Sequence, residues 1–205
     1  MTFPGFTEKD FQTFTIDGLD SRMTAIQERI QPKFREIGQE LTEQLSSKLG
    51  MEMFLHIAKH ARRTVNPPKD TWLAIAANKR GYKQHPHFQV GLFDDHLFIW
   101  LAYIYELPQK SEIADRFLQK LDEIQAIIPN DYYISMDHMN KEAKSVEESD
   151  LEHVLTRFKN VKKAEFLVGK HIAANDPILQ NGDELVALIE KTYDTLLPIY
   201  KLSIS

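Results

Sequence analysis

Four of the eight histidines in this chain, His56, His60, His85 and His87, fall within 32 consecutive residues. The same stretch holds Lys59, Arg62, Arg63, Lys69, Lys79, Arg80 and Lys83 against one acid, Asp70. The remainder carries 18 basic and 29 acidic residues, so a basic tract is set in a protein of formal net charge −5. Charge segregated in this way is the main functional clue in the sequence.

Two chemistries suit these residue types. Histidines spaced i, i+4 (His56, His60) or i, i+2 (His85, His87) occur at metal sites. A ligating histidine must be neutral and usually has a carboxylate behind it. Here the neighbours are Lys59, Arg62, Arg63 and Lys83, which repel a dication. No metal site is therefore expected, and the histidines read as residents of a polar sheet edge or a satisfied core. An anion uses the same residues more economically. Guanidinium forks grip phosphate or carboxylate bidentately, and lysine adds a point charge. The candidate anion-binding set is Lys59, His60, Arg62, Arg63, Lys79, Arg80, Lys83 and His87. Trp72, Tyr82 and Phe88 offer stacking faces of the kind base binders use. The competing expectation is that each cation is solvated or paired with a surface carboxylate, an arrangement that is common and weak.

Several standard machines are absent. The chain has no phosphate-loop pattern, no G-x-G-x-x-G, no G-x-S-x-G and no H-E-x-x-H, and only 8 of its 205 residues are glycine. With no cysteine, disulfides, thiolate-bound zinc, iron–sulfur clusters and a thiol nucleophile are excluded. Asp94-Asp95, Glu106 and Asp137-His138 are candidate acids or bases. Nothing in the sequence brings two of them to a working distance, so no catalytic residue is assigned and no cofactor is implied. The N-terminus lacks a basic start followed by an apolar stretch, and the longest apolar run, Leu97 to Tyr105, is nine residues. A membrane helix needs roughly 20. A cytoplasmic protein without a membrane partner is expected, of undetermined oligomeric state.

The elements that must position the tract can be read from periodicity. Residues 10–16 read as a short strand through Phe11, Phe14 and Ile16. Apolar residues from Met23 through Ile26, Ile30, Phe34, Ile37, Leu41 and Leu45 to Leu49 step by three or four, the stripe of an amphipathic helix. Asp20 is its expected N-cap and Gly50 its stop, and Pro32 either kinks it or starts a second helix. Residues 52–60 fit a strand or a helix, with the strand favoured. Strands are expected at 72–78, 86–93 and 96–105, the last apolar on both faces and therefore central. Helices are expected at 111–128 after a Ser111 cap, from a Ser149-x-x-Glu152 capping box, and at 182–197. Strands at 132–136 and 163–172 lie between them, and 141–150 is the best mobile-loop candidate. Consecutive strands demand antiparallel pairing. The expected fold class is α+β, one domain over 1–205, a mainly antiparallel sheet with helices packed on it.

The tract also spells longer motifs: H-I-A-K-H-A-R-R-T-V-N-P-P-K-D-T-W (56–72), N-K-R-G-Y-K-Q-H-P-H-F-Q-V-G-L (78–92), H-L-F-I-W-L-A-Y-I-Y-E (96–106) and K-K-A-E (162–165). With these the chain resembles the YktB-like family of uncharacterised proteins from low-GC Gram-positive bacteria, from Phe3-Pro4-Gly5-Phe6 nearly to the C-terminus. The resemblance implies a compact cytoplasmic α+β protein and carries no activity or catalytic residue.

Three functions stay open. The first is a binding module that takes a phosphate-bearing or other anionic ligand, nucleotide or nucleic acid, through residues 59–87. The second is an enzyme acting on a small phosphorylated or carboxylated substrate with a tract histidine as acid or base. The third is a structural or regulatory domain whose basic face meets an acidic protein. A closed pocket favours a small ligand, and an open basic groove with exposed aromatics favours nucleic acid.

Overall fold

The structure is a computed structural model that describes residues 3–205. In chain order its elements are α1 (Glu8–Gln12), α2 (Leu19–Ala25), α3 (Gln31–Leu49), β1 (Phe54–Ile57), β2 (Thr71–Ala76), β3 (His87–Leu92), β4 (His96–Tyr103), α4 (Lys110–Gln119), α5 (Leu121–Ile127), β5 (Tyr133–Ser135), β6 (Lys144–Ser145), α6 (Leu151–Asn160), β7 (Phe166–Ala173) and α7 (Gly182–Ile204). The seven strands among the described residues form one sheet of order β1-β2-β3-β4-β7-β5-β6, antiparallel throughout. The fold class is α+β, as the run of consecutive strands required.

Strand alternation gives the sheet two different faces. Leu73, Ile75, Phe88, Val90, Ile99 and Leu101 point to one side and join the main core. That side is covered by helices. Ile37, Leu41 and Leu45 of α3 are sealed there, and Tyr193 and Tyr200 of α7 pack on Phe88 with ring centroids 4.8 and 5.1 Å away. Trp72, Ala74, Phe98, Trp100, Ala102 and Leu167 point the other way and form a second, smaller cluster. Among the described residues no helix covers that face; the loops that follow β1, β2 and β5 supply Ala58, Tyr82 and Ala143 to it. β4 is buried along all eight residues between β3 and β7, so its double apolarity marks the centre of the sheet as expected.

Several local expectations are corrected. Residues 10–16 form the helix α1 and a 3-10 turn at Thr13–Thr15 instead of a strand. Phe11 and Phe14 are three apart, a helical spacing that buries both. Asp10 secures the turn by accepting from the Thr7 N–H at 2.7 Å. Gly18, at φ +83°, takes the N-cap position assigned to Asp20, which lies in the first turn. Pro32 sits in the first turn of α3, directly after a wide π turn at Ile26–Ile30 that accommodates its missing N–H. Gly50 ends α3 in the left-handed conformation, as expected. The 111–128 helix begins at Lys110 after Gln109 and breaks at Lys120 into α4 and α5. Asp150, not Ser149, caps α6: its carboxylate accepts from the His153 N–H, while the Ser149 hydroxyl donates to the Ser145 carbonyl. α7 runs on through Pro198 to Ile204, and the 141–150 loop contains β6. No helix among the described residues is long and apolar enough to cross a membrane.

Candidate functional site

The second face of the sheet holds a cleft of about 430 Å³. Its first wall is the chain leaving β1. Ala58 donates to the Trp72 carbonyl and carries the pairing one residue past the strand. His60 then adopts φ +50°, the one positive φ of a non-glycine among the described residues, and turns the chain outward. The Arg63 N–H closes this turn on the His60 carbonyl at 3.0 Å. The imidazole stays behind, its Nε2 3.1 Å from the Thr71 hydroxyl and its ring edge-on to Trp72. Lys59, Arg62 and Arg63 are left on the rim.

The second wall begins at Gly81, whose φ of +67° lets the chain enter a 3-10 turn at Tyr82–Gln84. Trp72 Nε1 donates to the Tyr82 hydroxyl at 2.9 Å, which locks the two rings into the floor. Lys83 Nζ lies 5.8 Å from the Trp72 ring centre and 3.9 Å from Glu106. Met139, from the loop after β5, completes the lining.

Five of the eight candidate residues therefore meet: Lys59, His60, Arg62, Arg63 and Lys83 line this one cleft. Three do not. Lys79 lies over the Phe54 ring at 5.2 Å, Arg80 is exposed outside the lining, and His87 is fully buried. His87 is held between the His85 carbonyl and Gln89, and burial pushes it down to about 3. His56 bonds the Asn78 carbonyl, and burial lowers it too. His60 is pushed down to about 4 by burial first and by the Arg63 and Lys83 charges second. It is thus a neutral hydrogen-bonding group at neutral pH. Among the described residues Lys83 is the one tract cation with a carboxylate within 4.0 Å. Glu106 is the one acid in the lining, whereas Asp94 and Asp95 pair away from it and both hold Lys141.

Beside the cleft lies a group whose members are scattered in the sequence. Asp70 immediately precedes β2 and is buried, with Oδ2 sealed and without a hydrogen-bond partner among the described residues. Burial raises it to about 6, against the opposing pull of the nearby His138, Arg63 and Lys83. His138 packs edge-to-face on Trp72 at 6.2 Å. Its Nδ1 is 2.9 Å from both oxygens of Glu165, which also accept from the His138 and Tyr105 N–H groups. Asp137, His138 and Glu165 bring three ligand-type atoms within 4.8 Å of one another. The sequence signals were slight: an Asp-His dipeptide, and one glutamate opening an apolar run. Farther along the same face His96 and His171 stack at 4.1 Å, a pairing invisible in a sequence that separates them by 75 residues.

Comparison with known proteins places the chain in a family. Residues 6–200 match the family model described as "Domain of unknown function (DUF1054)". A "UPF0637 protein" of Shouchella clausii is 60% identical over 205 residues, covering 100% of this chain and 97% of the relative. A second, from Oceanobacillus iheyensis, is 62% identical over 200 residues, covering 98% of this chain and 97% of the relative. One from Listeria monocytogenes is 53% identical over the full length of both chains. The resemblance drawn from the tract motifs is thereby borne out: this chain belongs to the DUF1054 family, a bacterial family of unknown function.

Proposed function

We propose that the chain is a cytoplasmic binding module for a small phosphate- or carboxylate-bearing ligand, held in the cleft between the loops after β1 and β2. One observation carries the reading: Lys59, Arg62 and Arg63 converge on one cleft and reach no carboxylate among the described residues. Four cations gathered around the single lining acid Glu106 repel one another, and an anion offsets that repulsion. Guanidinium groups at the rim suit a bidentate oxyanion. The Trp72–Tyr82 floor suits the flat or apolar remainder of the ligand. A cleft near 430 Å³ falls in the range of small-molecule sites. Trp72 is only 7% exposed, which suits a small ligand better than a strand of nucleic acid seeking open stacking faces.

Calorimetric titration with inorganic phosphate, a nucleoside monophosphate and a single-stranded oligonucleotide tests this at low ionic strength. Binding of one of the first two, weakened at least about tenfold by Arg63→Gln, is the expected result. Lys79→Gln with Arg80→Gln should leave that affinity within about twofold, since both residues lie outside the lining. No binding by any of the three, or binding indifferent to Arg63, refutes the reading. Tight binding of the oligonucleotide alone, steeply salt-dependent, replaces the small ligand with nucleic acid.

A further inference from the structure

Glu165 is buried, and its oxygens meet three donors: the N–H of Tyr105, the N–H of His138 and Nδ1 of the His138 ring. A carboxylate only accepts hydrogen bonds, so Nδ1 must carry the proton. In a neutral imidazole that leaves Nε2 as a lone-pair acceptor. Nε2 has no hydrogen-bond partner among the described residues and is not one of the sealed side-chain atoms. The ring borders the cleft without being part of its lining: it stands against Trp72, which lines the cleft, and the next residue, Met139, lines it too.

Resting on the cleft reading above, we infer that His138 and Glu165 are an acid–base pair that makes the anion cleft a catalytic site. His138 Nε2 takes a proton from a hydroxyl of the bound anionic substrate, and Glu165 is the positioning residue behind it. The substrate O–H bond breaks and an Nε2–H bond forms. The oxyanion left behind faces the positive charge of Arg63 and Lys83, and the imidazolium faces Glu165. The reverse transfer restores both. A base of this kind needs its second nitrogen fixed by a hydrogen bond, and the Nδ1 contacts of 2.9 Å to both Glu165 oxygens supply that. His138 and Glu165, together with Asp137, are also ligand types for a divalent cation. The direct imidazole–carboxylate contact and the nearby Arg63 and Lys83 charges favour proton transfer over that role.

The test is nitrogen NMR of the imidazoles in the full chain, with the His138 signals assigned from His138→Gln and inorganic phosphate as the probe. In the free protein His138 should be the Nδ1–H tautomer. Glu165→Ala, which removes the acceptor, should lose that preference, and Glu165→Asp should keep it. Saturating phosphate should shift the Nε2 signal, and the shift should vanish in Arg63→Gln. An Nε2–H tautomer, or one unchanged in Glu165→Ala, overturns the inference. If phosphate moves the Arg62 and Arg63 amides but not His138, the acid–base pair falls and the binding cleft stands. If phosphate moves neither, both fall. Stoichiometric zinc uptake that is lost in both His138→Gln and Glu165→Gln overturns it in favour of a metal centre.

Discussion

Replacing Asp70 with asparagine should make the protein less sensitive to rising pH. The folded carboxyl titrates near 6 instead of its ordinary 3.8, chiefly because burial penalises the charged form. At about 1.4 kcal/mol per pH unit, holding the ionised group in its native place costs about 3 kcal/mol. The proton is bound more tightly in the folded state than in the unfolded one. Its stabilising contribution is therefore complete below the unfolded value and is lost as pH rises through 6. Between about pH 5 and pH 8 the part still to be lost is about 1.4 kcal/mol. The asparagine side chain cannot ionise, and whatever constant cost its amide carries in the pocket cancels when the two pH values are compared. Urea unfolding of both proteins at both pH values reads this double difference directly. The wild type should lose about 1.4 kcal/mol more than Asp70→Asn on going to the higher pH. Parallel losses would refute the reasoning and place Asp70 in a solvated or fully compensated setting.

Ile37→Ala and Leu41→Ala should each cost about 2–5 kcal/mol of stability, because both side chains are sealed between α3 and the sheet. Unchanged urea midpoints in both would show that this stripe packs on nothing. Gly91→Ala should lower the melting temperature, at a cost of about 1–3 kcal/mol from overpacking. The added Cβ would come within 2.2 Å of the Phe98 ring and 2.7 Å of the Thr71 carbonyl, the second a backbone atom that cannot swing away. An unaltered thermal melt would mean that β2, β3 and β4 do not approach as closely as their register requires.

The helix-facing side of the sheet is legible in the sequence because its signals are local. Alternation in 86–93 and 96–105, and three-to-four spacing from Met23 to Leu49, each specify a buried face without reference to the rest of the chain. The errors fall where two local readings compete. Phe11, Phe14 and Ile16 resemble an alternating run, yet the spacing of the two phenylalanines suits a helix, and the Asp10–Thr7 hydrogen bond decides the matter. Ser149 and Asp150 are adjacent plausible caps, and they are separated by the Asp150 bond from the His153 N–H and the Ser149 bond to the Ser145 carbonyl. The basic half of the cleft is likewise visible, since Lys59 to Lys83 lie close in sequence. The convergence stops at Lys79, Arg80 and His87 because Gly81 reverses the chain between the first two and Lys83, and His87 already belongs to β3.

The acid–base half is not legible, and the reason is topological. Asp70, His138 and Glu165 come from the start of β2, the loop after β5 and the start of β7, three places that only the strand order brings to one face. β7 enters the sheet between β4 and β5, so Glu165 arrives next to Tyr105 at the end of β4, where it accepts that N–H. A buried glutamate there would be costly to leave unpaired. The loop after β5 supplies the His138 N–H and ring nitrogen that satisfy it, and the result is a fixed imidazole with one nitrogen still unbonded among the described residues. A glutamate needed only to staple the loop would be served by the two backbone N–H groups already on it. The ring adds a third donor to the buried carboxylate, a bond worth about 1.5–3 kcal/mol, and it is also the contact that sets the tautomer. His138→Phe should therefore keep the loop docked on the two remaining N–H groups and lower stability in urea unfolding by no more than about 3 kcal/mol; a collapse of the fold instead would show that the imidazole is there to hold Glu165.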